Sequence, residues 1–175
     1  MYNYFYNKNI AVDMIPIDAD FSKYDLVAAP VLYMVKDGVA ESLEAYVQAG
    51  GTLITTYMSG IVGQSDNVHL GGYPGPLRKM AGVWVEEIDA LAPEQRNKIR
   101  FADGTEEECR LVCDLMHLEG AEEIAQYESD FYAGMTAVAK NRFGKGTVYY
   151  VGTDLSESGL AKVLAMAADG AASSR

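Results

Sequence analysis

Two residues in the first half of the chain have the side chains that nucleophilic catalysis requires. Ser59 follows the apolar stretch 52–57, at the place where α/β hydrolytic domains carry a nucleophile on a sharp turn. A serine needs a base, and His69 lies in the next loop, from which it could fold over Ser59. A Ser59/His69 hydrolase is therefore one hypothesis. The simpler interpretation is a turn serine and a histidine that anchors its loop by hydrogen bonding.

The other histidine and the acidic residues form no recognised catalytic pattern. His117 lies within the strand-like segment DLMHL and is interpreted as structural. Glu86 and Glu87 are adjacent, so in a strand they would point to opposite faces. The acidic run at 106–108 is typical of a solvated surface turn. These patterns predict no catalytic residue in the chain.

The cysteines and the glycine-rich segments do not predict a metal or a cofactor. Cys109 and Cys113 lie four residues apart in a predicted strand, which would separate them by roughly 13 Å on one face, too far for a disulfide. Two thiols and two histidines match no metal-binding spacing. The segment 71–75, GGYPG, lacks the glycine spacing of phosphate-binding loops. We therefore expect buried thiols, no metal and no cofactor.

The loop that carries His69 is the most distinctive segment of the sequence. It follows a predicted central strand over 52–57, which itself follows the helix stop Gly50-Gly51. About sixteen residues without regular structure are usually either functional or disordered. Leu70, Tyr73 and the prolines make disorder a poor interpretation. We predict an ordered loop built to contact another surface, and its position after a strand is where open α/β sheets usually carry function.

The first half of the chain alternates predicted strands and helices. The end of a helix over 2–9 precedes strands over 9–17 and 26–30, and Asp37 is the expected N-cap of a helix over 38–49. Its buried face is predicted to hold Val39, Leu43, Tyr46 and Val47. A helix over 76–82 and a strand over 83–89 follow the loop. This order predicts a doubly wound sheet for residues 9–89.

The second half is predicted to be mostly β. Residues 90–153 carry strands over 99–102, 109–118, 123–127, 135–141 and 147–151, with a turn at Asp103-Gly104 and a hairpin at 143–146. We interpret this half as an antiparallel extension. A final helix, capped by Asp154 or Ser156, is predicted to reach residue 168 and to bury Leu160, Val163 and Leu164, with 171–175 as a tail. Residues 1–170 would thus form one domain.

Composition excludes some partners. The 175 residues contain 14 Lys and Arg against 25 Asp and Glu, which gives a formal net charge of -11. This balance argues against nucleic acid and anionic membranes, because both require clustered positive charge. No apolar run approaches the roughly 20 residues that span a bilayer, and the start MYNYFYNKNI lacks the pattern of a signal peptide. We therefore expect a cytoplasmic location.

The loop and many other segments resemble one family. The segments that carry the resemblance are 56–62 (TYMSGIV), 66–78 (DNVHLGGYPGPLR), 16–20 (PIDAD), 26–30 (LVAAP), 45–53 (AYVQAGGTL), 117–122 (HLEGAE), 130–134 (DFYAG), 141–146 (NRFGKG) and 149–153 (YYVGT). Together, and over nearly the whole chain, they resemble the trimerisation domain of glycoside hydrolase family 42 β-galactosidases.

The resemblance implies a fold and a role. The fold would be flavodoxin-like, as in class I glutamine amidotransferases, with Met58-Ser59 where those enzymes carry a cysteine. In the family, a catalytic (β/α)8 barrel precedes this domain and supplies the catalytic glutamates, so no glutamate of this chain inherits a catalytic role. The domain would join a homotrimer and contact the barrel, and galactoside would bind only in the full enzyme. The candidate intersubunit or pocket-rim residues are Ser59, His69, Leu70, Tyr73, Pro74 and Arg78.

Two alternatives to a non-catalytic trimerisation domain remain open at this stage. One is an amidotransferase-like hydrolase that uses Ser59 and His69. The other is a carbohydrate-binding module with Tyr73 or Trp84 as its stacking platform, although Trp84 alternates with Val83 and Val85 and is expected to be a core residue.

Overall fold

Nine strands and four helices make up the part of the chain that the structure, a computed structural model, describes, residues 1–172. The helices are α1 (Tyr2–Asn7), α2 (Val39–Ala49), α3 (Arg78–Ala81) and α4 (Glu157–Ala172), and a 3-10 turn (Gly75–Leu77) leads into α3. The strands are β1 (Leu26–Ala29), β2 (Thr52–Thr56), β3 (Val83–Ala90), β4 (Asn97–Phe101), β5 (Glu106–Leu118), β6 (Glu122–Tyr127), β7 (Thr136–Phe143), β8 (Gly146–Val151) and β9 (Thr153–Leu155).

All nine strands join one mixed sheet. Its main path runs β1-β2-β8-β7-β6-β4-β5-β3, with β9 beside β5. The pairs β1–β2 and β2–β8 are parallel, and the other paired strands are antiparallel. The parallel part therefore ends at β8, which hydrogen-bonds to β2 on one side and to β7 on the other.

The core lies on both faces of this sheet. Successive residues of the central strands point to opposite faces, so that Leu53 packs in one cluster and Ile54 in the other. The cluster around Leu53 includes Leu43 and Val47 of α2, whereas the cluster around Ile54 includes Leu164 of α4. Because α2 and α4 cover opposite faces, strands β2 and β8 are buried on both sides, as parallel strands normally are.

Several local predictions are confirmed. The helix α2 buries the predicted face, Val39, Leu43, Tyr46 and Val47, and ends at Gly50. The strand β2 is buried along its whole length. The turn after Phe101 and the β7–β8 hairpin form as predicted. Of the two predicted caps of the last helix, Ser156 is the one that forms, since its Oγ accepts a hydrogen bond from the Gly159 amide at 3.1 Å.

Three predictions for the first half are wrong. Residues 9–17 form no strand, because they pair with no described neighbour and leave Met14 87% exposed. Gly38, not Asp37, is the N-cap of α2, with a left-handed φ of 82° and no side-chain cap. The strand β3 does not extend the parallel sheet of 9–89, because it pairs antiparallel with β5 at the far edge.

Some predictions for the second half are also wrong. The acidic run at 106–108 begins β5 instead of forming a surface turn, because Arg100 and Lys98 on the paired strand β4 form ion pairs with Glu106. The strand β8 belongs to the parallel part as well as to the antiparallel extension. The short strand β9 was not predicted. The helix α4 continues to Ala172, so the predicted tail is helical at residues 171–172, and residues 173–175 lie outside the described part. Leu160 is half-buried.

Candidate functional site

The loop 59–76 starts at a strained turn at the carboxyl end of β2. We call residues 57–60 the elbow turn. Met58 has a φ of 55°, in the left-handed region that side chains other than glycine seldom adopt. Gly60 has a φ of 67°, and a Cβ at this position would come within 1.9 Å of the Pro74 carbonyl oxygen. The two ends of the loop are therefore in direct contact, and only glycine fits at position 60.

Ser59 is a structural residue of this turn. Its side chain is fully buried, its Oγ donates a hydrogen bond to the Thr56 carbonyl at 2.6 Å, and it accepts one from the Leu32 amide at 3.0 Å. The Thr55 hydroxyl lies 2.8 Å from the same oxygen. A serine with these internal partners ties the elbow turn to the segment after β1 and has no access to a substrate.

His69 anchors the loop from inside. Its amide donates to the Ile61 carbonyl at 3.0 Å, and its ring packs beside Gly63 and Gly75. Its Nε2 is buried and makes no hydrogen bond within the described residues. No hydrogen bond joins Ser59 to His69 in that part of the chain. This geometry argues against the Ser59/His69 hydrolase.

The end of the loop is fastened to the sheet edge. Tyr73 and Val85 of β3 exchange two backbone hydrogen bonds, of 3.4 and 2.8 Å, and the Tyr73-Pro74 peptide is cis. Near the start of the loop, Val62 forms isolated bridges with Met34 and with Val68. These bonds make the loop an ordered surface, as predicted, and Tyr73 covers part of the open edge of β3.

Arg78 holds the loop to the outer strands. Its Nε and Nη2 donate to the two carboxylate oxygens of Glu119 at 2.6 and 2.5 Å, and its Nη1 donates to the Gly71 carbonyl at 2.6 Å. This bidentate pair raises the pKa of Arg78 and lowers the pKa of Glu119. The loop, α3 and the end of β5 are thereby linked by one side chain.

Trp84 is half-buried at the centre of this contact. The Arg78 guanidinium lies 5.4 Å from its ring centre, and the His117 ring stacks on it at 4.9 Å with an interplanar angle of 24°. His117 in turn hydrogen-bonds Glu86 through Nε2 at 2.7 Å. A Cβ at Gly72 would come within 2.0 Å of Trp84 Nε1. These neighbours occupy the ring surface that a sugar would need, so Trp84 is not an open stacking platform.

The tip of the loop exposes apolar side chains. Leu70 is 96% exposed and Val68 is 54% exposed, although the residues between and beside them are anchored. Of the six residues predicted for the site, Tyr73, Pro74 and Arg78 form the base of the loop, Ser59 and His69 lie inside it, and Leu70 faces solvent.

The two cysteines lie closer together than strand alternation predicted. Cys109 and Cys113 are opposite Leu155 and Thr153, which are only two residues apart on β9. A bulge at Leu111, with a φ of 70°, removes two residues from the ladder, so the predicted separation is wrong. Both thiols are free and buried. The neighbouring Cys113 thiol, together with burial, raises the pKa of Cys109.

A buried acid beneath the elbow turn was missed. Asp114 is 1% exposed, and Tyr150 donates a hydrogen bond to its Oδ2 at 2.7 Å. Burial raises the pKa of Asp114 from 3.8 to about 7. In the sequence this aspartate belongs to an ordinary strand pattern. No residue near it in the chain indicates that the neighbouring strands of the sheet bury its side chain. In residues 1–172, no group of three or more His, Cys, Asp and Glu side chains could hold a metal ion.

The fold and the site define an α/β domain whose most distinctive loop is ordered and anchored at both ends. A family model described as "Beta-galactosidase trimerisation domain" matches residues 1–173. Beta-galactosidase LacA of Lactobacillus acidophilus is 51% identical over 162 residues, which cover 93% of this chain and 24% of the relative. Beta-galactosidase BgaA of Planococcus sp. is 52% identical over 155 residues, which cover 86% of this chain and 23% of the relative. This chain belongs to the β-galactosidase trimerisation domain family.

Solved structures give the same assignment. The β-galactosidase from Bacillus circulans sp. alkalophilus superimposes with a TM-score of 0.92 at 44% identity, covering 94% of this chain and 25% of that one. The β-galactosidase from Halorubrum lacusprofundi superimposes with a TM-score of 0.88 at 28% identity, covering 97% of this chain and 25% of that one. The chain thus spans about a quarter of the length of the relatives that it matches. No described helix is long and apolar enough to cross a membrane.

Proposed function

We propose that this chain holds three copies of a β-galactosidase together, and that the loop 59–76 forms part of the contact between neighbouring copies. The proposal rests on the exposure of Leu70. This side chain is 96% exposed, although it lies on a loop whose two ends are anchored. An exposed leucine on rigid support gains free energy when a second surface covers it, without the entropic cost of ordering a flexible loop. A three-fold ring needs only one such patch and its complement.

The partners of the loop are proposed to be the neighbouring subunit and the catalytic barrel of the parent enzyme. The relatives are named β-galactosidases and are about four times longer than this chain, which leaves room for a separate catalytic domain. His69, Tyr73, Pro74 and Arg78 would then support the rim of a pocket that binds galactoside only in the full enzyme. The buried Ser59 would shape the turn below that rim.

The parallel part of the sheet is proposed to be flavodoxin-like, as in class I glutamine amidotransferases. Two features support this assignment. The three parallel strands β1, β2 and β8 have α2 on one face and α4 on the other. Met58, with its φ of 55°, occupies the sharp turn after the central strand where a nucleophile would lie. A cytoplasmic location is also proposed, because two free buried thiols suit a reducing compartment.

A matched pair of variants tests the role of the loop. Leu70→Ser removes an apolar side chain that is 96% exposed, and Met14→Ser removes one that is 87% exposed and does not belong to the loop. Light scattering over a dilution series would measure how strongly the copies associate. We expect Leu70→Ser to weaken association by about tenfold or more, since a buried leucine is worth roughly 1.5–3 kcal/mol. Equal association of wild type and both variants would count against the loop as the contact.

A further inference from the structure

The elbow turn lies next to Asp114, a buried acid with one carboxyl oxygen that has no hydrogen-bond partner among the described residues. Asp114 Oδ2 accepts from Tyr150, but Oδ1 is buried without a partner among the described residues. The Asp114 amide donates to the Gly152 carbonyl at 2.7 Å, and Tyr127 donates to the Asp114 carbonyl at 3.2 Å, so the backbone around the acid is fixed. A charged carboxylate with an unpaired oxygen is far more costly in a protein core than a neutral acid.

Two backbone amides of the elbow turn face this acid and its partner. The Met58 amide is close enough to Asp114 to favour its charged form, and the Ser59 amide has the same effect on Tyr150. On either side of them, the Tyr57 amide donates to the Val151 carbonyl and the Gly60 amide to the Leu32 carbonyl. The Tyr57 amide bonds Val151, and both chain neighbours of Val151, Tyr150 and Gly152, are hydrogen-bonded to Asp114, so the elbow turn lies against this acid. The Met58 amide is therefore a donor with which an ionised Asp114 could complete its hydrogen bonding.

In the described part of the chain, the surroundings of Asp114 offer no competing cation. The titratable groups that face it are Tyr150 from β8, Tyr127 from β6 and Cys113 from its own strand, with Tyr57 and the Arg110–Asp154 ion pair beyond the elbow turn. Within residues 1–172, no lysine or arginine forms an ion pair with Asp114. Its charge must therefore be balanced by dipoles, and those of the elbow turn are within reach.

We propose that Asp114 and the elbow turn form a proton-linked switch. When Asp114 loses its proton to solvent, the Met58 amide moves onto Oδ1 and the turn tightens. When Asp114 is neutral, the turn keeps the conformation described above. Because the loop 59–76 starts at this turn, its geometry responds to the state of the acid. This coupling depends on the fold alone, whether or not the loop contacts a neighbouring subunit.

The test follows the Met58 amide by NMR in the 15N-labelled chain between pH 5 and 9. We expect its chemical shift to change in one transition near neutral pH, and to show no such transition in Asp114→Asn. Asp89→Asn is the matched control: Asp89 lies opposite Cys113 on the neighbouring strand and also accepts a tyrosine hydrogen bond, from Tyr132 at 2.9 Å, but it is only half-buried and makes no hydrogen bond to the elbow turn within the described residues. This control should keep the transition.

A second variant keeps the test decisive if Asp114→Asn fails to fold. Tyr150→Phe removes the hydrogen bond that favours ionised Asp114, so the midpoint should move to higher pH by about half a unit or more. A Met58 amide that does not respond to pH in the wild type would overturn the switch. So would a transition that persists in Asp114→Asn or a midpoint that Tyr150→Phe leaves in place. The amide shift is read in any oligomeric state, so failure of the trimer proposal would not affect it.

Discussion

The guanidinium of Arg78 lies 5.4 Å from the centre of the Trp84 ring, and this contact joins the loop to the edge of the sheet. Arg78 comes from the helix after the loop, and Trp84 comes from the edge strand β3. The same guanidinium binds Glu119 and the Gly71 carbonyl. One side chain thus connects the loop backbone, the edge strand and the end of β5.

Replacing Arg78 by alanine should loosen the loop without unfolding the domain. The variant loses the bidentate pair with Glu119 and the cover over Trp84, both at a partly exposed site. Trp84 is the only tryptophan, so acrylamide quenching of its fluorescence reports on this contact directly. We expect stronger quenching and a melting temperature lower by a few degrees. Arg96→Ala, which among the described residues removes hydrogen bonds to the neighbouring Pro93 and Gln95 carbonyls, is the control and should leave the quenching unchanged.

Gly60 should tolerate no side chain. In Gly60→Ala the new Cβ would lie 1.9 Å from the Pro74 carbonyl oxygen, so the loop must shift in addition to the strain of a positive φ. We expect a loss of about 2 kcal/mol or more in unfolding free energy. Gly104→Ala provides the comparison, because Gly104 also has a positive φ but nothing within 4 Å, and should lose only about 1 kcal/mol. Equal losses in denaturant titrations would show that the contact with Pro74 is unimportant.

Ser59 should matter for stability and not for hydrolysis. Ser59→Ala removes the hydroxyl that accepts from the Leu32 amide and leaves that amide unpaired, which costs about 1–3 kcal/mol. Ser65→Ala, in the exposed part of the same loop, should be nearly neutral. Urea unfolding measures both changes. Esterase activity of the wild type that disappears in Ser59→Ala would instead restore the hydrolase hypothesis.

Because of Asp114, the free energy of unfolding of the chain should decrease as the pH rises from about 4 to about 7. Its pKa is 3.8 when unfolded and about 7 when folded, so the folded state binds more protons in this window. The contribution is fully present below pH 3.8 and is lost as the pH rises towards 7. The shift corresponds to a maximum of about 4 kcal/mol. In thermal melts, Asp114→Asn should therefore gain stability relative to wild type as the pH rises to 7, and a constant difference would contradict this account.

Local structure could be predicted from the sequence where the pattern is strong. The periodicity of α2 and the stop at Gly50 identify the helix, and the alternation before Tyr57 identifies the central strand. The composition of the loop predicts order because it contains anchors and stiff residues. Leu70 and Arg78 were placed in the candidate site because the loop resembles that of the family. These helices, strands and ordered loops could be predicted because they depend on side-chain type and on spacing along the chain.

Long-range pairing could not be predicted in the same way. Nothing near Gly146–Val151 indicates that β8 pairs with β2, whose paired residues lie 95 positions earlier, or that β3 pairs antiparallel with β5 at the far edge. The bulge at Leu111 has no glycine to mark it, so the cysteines were placed too far apart. Asp114 was missed for the same reason, because its burial arises from strands that are distant in sequence.

The solution mass of the chain tests the central claim most directly. Light scattering across a wide concentration range should give three times the chain mass of 19.0 kDa, falling only on strong dilution. This result would mean that the surfaces that join the three copies lie within these 175 residues. A mass of 19.0 kDa at every concentration would contradict the claim and assign the contact to the rest of the parent enzyme.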